Sequence, residues 1–272
     1  MAETNNNQYA LVTGATSGIG YELAKLFARD GYNLVIVARS QDELSSKQQE
    51  FSSTYGIKVV SIAKDLFEPS AATELYEEVK NQGITVNVLV NDAGQGQYGH
   101  FIDSDLQRLI QIIQLNVISF TALTHLYLKD MVARNEGKIL QLASIASETP
   151  GPWQAVYHAT KAYVLSLTEA IINEIKDTNV TMTALQPGAT DTDFFTKADM
   201  LDSKAVQDPS KLSDPADVAR DGYEALMKGD DKVVSGFKNK MQTTLGNIMP
   251  ATMLADQVDK QQGPVSGSDK AK

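Results

Sequence analysis

The chain contains no cysteine among its 272 residues. Disulfide bonds, thiolate nucleophiles and cysteine-held metals are thereby excluded. Histidine is scarce. His100, His125 and His158 are the three present, and they lack metal-ligand spacing such as HExxH, so no metal site is expected. Basic side chains are outnumbered, 24 Lys and Arg against 34 Asp and Glu, which leaves a formal charge of -10. That balance argues against nonspecific binding to nucleic acid or to anionic membrane; ordinary solubility also accounts for it. No uninterrupted apolar run approaches the roughly 18 residues of a membrane span. The opening MAETNNNQ lacks the charged-then-apolar order of an export signal. A cytoplasmic protein without a membrane span is the expectation.

What the chain does have is a regular alternation. Apolar runs with β-branched residues lie at 9–13, 32–39, 57–63, 86–92, 137–144, 180–187 and, more weakly, 231–236. Between them, helical periodicity covers 19–29, 41–54, 69–81, 104–133, 153–177 and 215–228. Short continuous apolar strands separated by helices indicate a parallel sheet covered on both faces and joined by right-handed crossovers. The expected fold class is α/β: a Rossmann-like, doubly wound, seven-stranded parallel sheet flanked by helices on both faces. One domain over residues 1–260 suits the length. Residues 191–214 break the rhythm and hold Phe194, Phe195, Met200 and Leu201. Long irregular segments in compact domains tend to be lids or binding loops, so this stretch is the expected substrate loop. The tail 261–272, QQGPVSGSDKAK, is expected to fray.

The first strand runs directly into TGATSGIG, Thr13 to Gly20, and then into a helix. Gly14 permits a tight turn, Gly18 lets the backbone approach a ligand, and Gly20 lets helix and strand pack closely. The helix N-terminus, with free N–H groups and a positive dipole end, then suits a pyrophosphate. Thr16 and Ser17 can add hydroxyl donors. At the end of the second strand, a carboxylate would bond the ribose 2′-hydroxyl of NAD and repel a 2′-phosphate. Ala38 leaves that place empty and Arg39 supplies a guanidinium fork for phosphate. NADP(H) is therefore expected in preference to NAD(H).

Together with NDAG (91–94), Asn116, Ser144, YHATK (157–161) and PGATDT (187–192), these residues resemble the short-chain dehydrogenase/reductase family in its single-domain branch. The match is collinear from about Tyr9 to Gly236. The resemblance implies that Ile19 of the glycine turn, and Asp65 and Leu66 after the third strand, contact the dinucleotide. It places Asn91, Ala93 and Gly94 along the adenosine ribose and under the sheet, and Pro187, Gly188, Thr190 and Thr192 around the nicotinamide carboxamide. The family usually has Asn-Asn-Ala-Gly where this chain has Asp92 as the second residue. Pairing into a homodimer or homotetramer through the helices at 104–133 and 153–177 is implied as well.

Helical projection supplies the catalytic reading. At about 100° per residue, Val164, Leu165, Leu167, Ile171, Ile172 and Ile175 fall in an arc of roughly 160° centred near Tyr157. Lys161 lies within about 40° of Tyr157, one turn on. His158 lies about 100° away, on the flank shared by Glu169 and Lys176, and is expected at the edge and to be dispensable. A buried ammonium needs partners; a bound cofactor's ribose hydroxyls would serve. Lys161 beside the phenol would also lower its pKa, so that Tyr157 can exchange a proton with a substrate oxygen. Ser144, at a strand's carboxyl end, can hold that oxygen. Asn116, a buried amide in an apolar helix, needs partners; in the family it supports a water linking Lys161 to solvent. The expected function is hydride transfer between NADP(H) and a small-molecule carbonyl or secondary alcohol, with a hydrophobic substrate hinted at by 191–214. Non-catalytic dinucleotide sensing, an epimerase or dehydratase, and a scaffold in a larger complex are the competing readings; the intact Ser144, Tyr157 and Lys161 argue against the sensor.

Overall fold

The computed structural model describes residues 7–246 and 249–265. Seven parallel strands form one sheet: β1 (Tyr9–Thr13), β2 (Asn33–Ala38), β3 (Val59–Ala63), β4 (Val86–Asn91), β5 (Gly137–Leu142), β6 (Val180–Gln186) and β7 (Lys232–Val234). Their order is β3-β2-β1-β4-β5-β6-β7. The chain therefore reverses its winding direction between β1 and β4, and a crevice opens there at the strands' carboxyl ends.

The helices are α1 (Gly18–Arg29), α2 (Gln41–Tyr55), α3 (Ala71–Asn81), α4 (Leu106–Ile113), α5 (Phe120–Arg134), α6 (Ala155–Glu174), α7 (Phe194–Lys197), α8 (Pro215–Lys228), α9 (Phe237–Gly246) and α10 (Ala251–Gln262). Alternate strand residues point to opposite faces. Val12, Ile36, Val90 and Leu140 join α1 and α8 in one core. Leu11, Val35, Val37, Leu89 and Ile139 join α3 and α5 in the other. Local signals set several helix ends. Asp214 accepts from Ala216 N–H at 2.8 Å, Pro215 occupies the first turn, and Gly229 closes α8 at φ 79°.

The stretch read as one helix over 104–133 is continuous from Leu106 to Arg134 but has a π-helical turn at Gln114–Ser119. By length and composition alone it is long and apolar enough to cross a membrane, although it holds no uninterrupted apolar run of that length, because Gln, Asn and Thr break the run without ending the helix. Half of its most apolar window is buried inside the protein, as in a core helix. Of the stretch expected to fray, Gln262 accepts from the Tyr98 hydroxyl at 2.8 Å and Val265 N–H donates to Asp202. Residues 266–272 lie outside the described residues.

Candidate active site

One cavity of about 1100 Å³ follows the crevice from the glycine turn to the substrate loop and the C-terminal helices. Its nucleotide end is built by β1 and α1. Gly14 and Gly18 have φ of 72° and 60°, a region that L side chains rarely adopt. Ser17 caps α1 without a side-chain bond, so the first N–H groups of the helix are left for a ligand. Gly14, Thr16, Ser17, Gly18 and Ile19 line this end, and so do Asp65 and Leu66 after β3. Arg39 lines it after β2, its guanidinium 5.6 Å from the Phe67 ring centroid. Arg108 sits over the same ring at 5.3 Å.

Gly20, Asn91 and Asn116 are not on the cavity wall. Gly20 packs against the Gly14 carbonyl and Asp92, where no Cβ fits. Asn91 Nδ2 donates to Gln141 Oε1 at 2.9 Å and to Thr124 Oγ1 at 3.0 Å, tying β4 to β5 and α5. Its side chain supports the sheet. Asn116 lies in the π-helical turn, a deviation found often at functional sites. Its Nδ2 donates to the Gln95 carbonyl at 2.8 Å and to Thr160 Oγ1 at 3.0 Å, while its Oδ1 accepts from Gln95 N–H. It thereby fixes the segment after NDAG against α6. Ala93 and Gly94 do line the cavity, and a Cβ at Gly94 would lie 3.4 Å from Lys161 Nζ and 3.5 Å from Asn116 Oδ1.

The chemical end is built by β5, α6 and the segment after β6. Ser144 caps the turn that follows β5, accepting from Ala146 N–H and donating to the Pro187 carbonyl at 3.4 Å. Tyr157 and Lys161 both reach the cavity from α6, with Lys161 Nζ 5.8 Å from the Tyr157 ring centroid. Lys161 donates to the Leu142 carbonyl at 2.6 Å. Pro187, Gly188, Thr190 and Thr192 complete the wall.

The electrostatics differ from expectation. Burial pushes the Tyr157 phenol up to about 12; a hydrogen bond with Ser144 pulls it back, and Asp92 adds to the rise. The phenol is raised rather than lowered beside its lysine, and burial is the dominant cause. Burial brings Lys161 down to about 8, opposed by the nearby Asp92 carboxylate.

His158 is a second correction. It is 4% exposed, not at the edge. A projection of α6 alone omits the loop after β5, which folds over that flank and leaves room for the imidazole only because residue 151 is glycine. His158 Nδ1 lies 2.8 Å from the Thr149 carbonyl, and Nε2 lies 3.3 Å from Gln262 Nε2. With Nδ1–H donating to Thr149, Nε2 accepts from the Gln262 amide.

Other wall residues carried no sequence signal. Gln154, before α6, is 4% exposed, and its Nε2 has no hydrogen-bond partner among the described residues. From the expected substrate loop, Phe194, Phe195 and Met200 all line the cavity and pack together in a small core, with the Phe194 ring 5.0 Å from Tyr157, whereas Leu201 faces solvent. Asn239, Gln242, Val258 and Gln262 line the cavity from α9 and α10. Trp153 Nε1 donates to Asp259 Oδ1 at 2.8 Å, and its ring stacks on Tyr98. Among the described residues, no cluster of His, Asp and Glu could hold a metal ion.

Comparison with known proteins agrees with this geometry. A sequence profile described as short chain dehydrogenase matches residues 8–201. A 7beta-hydroxysteroid dehydrogenase of Clostridium sardiniense is 30% identical over 81% of this chain and 83% of its own. A very-long-chain 3-oxoacyl-CoA reductase of Bos taurus is 33% identical over 66% of this chain and 58% of its own. Two solved structures share the fold. A short-chain dehydrogenase from Sphingobium yanoikuyae in complex with NADPH superposes with a TM-score of 0.79 at 24% identity, over 92% of this chain and 99% of that one. A short chain dehydrogenase/reductase from Burkholderia phymatum in complex with NAD gives 0.78 at 21%, over 97% and 99%. The chain belongs to the short-chain dehydrogenase family and is an oxidoreductase of that family.

Proposed function

We propose that the protein is an NADP(H)-linked reductase and dehydrogenase that interconverts a carbonyl and a secondary alcohol on a hydrophobic small molecule. The observation that carries this reading is the convergence of Ser144, Tyr157 and Lys161 on the cavity that the glycine turn begins. The residues fit a dinucleotide: two glycines at positive φ, an uncapped helix start and a cavity long enough for both ends. When bound, that cofactor supplies or accepts the hydride.

The rest is the work of the chain's own groups. The α1 N-terminus and Thr16 hold the pyrophosphate. Arg39 holds a 2′-phosphate, helped by the absence of a carboxylate at Ala38. Lys161 directs its ammonium toward the ribose hydroxyls, and Asn116 keeps Gln95 and α6 in register behind it. Ser144 donates to the substrate oxygen. Tyr157, which burial keeps as the protonated phenol at neutral pH, gives that oxygen its proton in reduction. Phe194 and Val258 form an apolar wall, in keeping with relatives named for steroid and acyl-CoA substrates. Leu106, Ile110, Ile113, Ile118 and Tyr163 are exposed apolar side chains on and around α4 and α6, which favours association of two copies there. A cytoplasmic placement accompanies this reading.

The test is oxidation of NADPH with a panel of hydrophobic ketones, steroids included. Tyr157→Phe should lower kcat by roughly 10²–10⁴-fold with NADPH affinity retained; near-normal turnover would remove Tyr157 from the proton transfer.

A further inference from the structure

Asp92 stands where the family usually has asparagine, and its surroundings give that difference a consequence. Thr13 Oγ1 accepts the N–H groups of Asp92 and Ala93 at 3.1 and 3.0 Å, which fixes the backbone after β4 beside the glycine turn. The Asp92 side chain passes beneath that turn. A Cβ added at Gly14 would lie 2.7 Å from Asp92 Oδ2, and one added at Gly20 would lie 2.5 Å from it. The Gly20 backbone N–H faces the carboxyl group and favours its ionised form. The Gly14 carbonyl oxygen borders the same space, 2.6 Å from the Gly20 Cβ position. Oδ1 is buried with no partner among the described residues.

One donor and one acceptor therefore face this group. An asparagine would meet both, accepting from Gly20 and donating its amide to a carbonyl. A carboxylic acid can do the same with its O–H, but a carboxylate has only lone pairs. The ionisable groups that face Asp92 are Lys161 and Tyr157, both on α6. β1 and α1 present Thr13, Gly14 and Gly20, none of which titrates. Lys161 favours the carboxylate. Opposing it is the location: Gly20 belongs to the first turn of the helix whose free N–H groups suit a pyrophosphate. A second full negative charge at that terminus competes with the ligand for the same dipole.

We propose that Asp92 is a positioning residue for the dinucleotide, bracing the glycine turn from beneath as a neutral acid, so that dinucleotide binding takes up a proton there. Burial moves this carboxyl up to about 7, with Lys161 pulling it down, so the proton equilibrium falls in the working range of pH. The neutral acid replaces the missing amide; the ionised form loosens the turn and repels the pyrophosphate.

The inference rests on dinucleotide binding, and the experiment separates the two. Dissociation constants of NADH and NADPH are measured from nucleotide fluorescence between about pH 6 and pH 8.5, for the wild type and Asp92→Asn. NADH is needed because the 2′-phosphate of NADPH itself titrates. Wild-type affinity for both nucleotides should fall by roughly tenfold across that range, and Asp92→Asn should lose most of the fall. Parallel profiles in the two proteins would overturn the proposal and leave dinucleotide binding intact. Absence of binding by either nucleotide at every pH would overturn both. Calorimetry of NADH binding to the wild type, in buffers of different ionisation enthalpy near pH 7.5, decides the matter if the variant does not fold. Net proton uptake is expected, and zero uptake overturns the proposal.

Discussion

Arg39 and His158 show how much a single residue's meaning depends on what surrounds it. Arg39 projects from the end of β2 over the Phe67 ring, a place from which its fork can take a phosphate in plane. Exchanging it for aspartate supplies the carboxylate that favours a 2′-hydroxyl. Arg39→Asp should therefore raise the KM for NADPH by roughly 10–100-fold, the value of a charge-assisted bond, and leave the KM for NADH nearly unchanged. Equal effects on the two cofactors in steady-state assays would remove Arg39 from the 2′-phosphate site. His158 was expected to be dispensable, but it is buried between the Thr149 carbonyl and the Gln262 amide. His158→Ala leaves a cavity and two unpaired groups. A loss of about 2 kcal/mol in stability is expected, read as a lower midpoint in denaturant, with substrate KM affected more than kcat. An unchanged midpoint would return the residue to a bland role.

At the scale of elements, the substrate side of the site depends on α10. Tyr98 and Ser203 both donate to the Gln262 carbonyl, and Trp153 donates to Asp259. Tyr98→Phe removes one bond worth about 1 kcal/mol. It should raise the substrate KM several-fold and leave NADPH affinity unchanged in direct titration; a matching loss of NADPH affinity would mean that α10 serves the cofactor instead. Which elements could be read from sequence follows from how each is held. Strands β1, β2, β4, β5 and β6 are largely buried on both faces and β3 partly so, and their apolar runs ended within two residues of the observed limits. α8 carried its own stop and start signals in Asp214, Pro215 and Gly229. α9 and α10 left no such trace: Leu254 and Val258 are the buried residues of α10, too few to set a period. The π-helical turn was likewise invisible, because the extra residue leaves composition unchanged. Ser144, Tyr157 and Lys161 could be placed from strand ends and one helical turn. Gln154 and Gln262 could not, since their burial comes from segments far away in the chain.

For the molecule as a whole, a net charge of -10 coexists with a strip of exposed aliphatic side chains on α4. Burying Ile110, which is 48% exposed, against a second copy would remove apolar surface from water. Ile110→Glu should shift the protein toward monomer in light scattering, with retained helical signal. An unchanged mass would place any association elsewhere. Another whole-molecule consequence comes from Trp153, the one tryptophan in the chain. Its ring lies 5.5 Å from Tyr98 and 3.9 Å from His100, and its indole nitrogen is tied to Asp259 of the C-terminal helix. All indole emission therefore originates at the rim of the substrate cavity, next to the helix that closes it. The protein carries its own optical reporter of that helix, and opening or closing of the rim can be followed in unlabelled material.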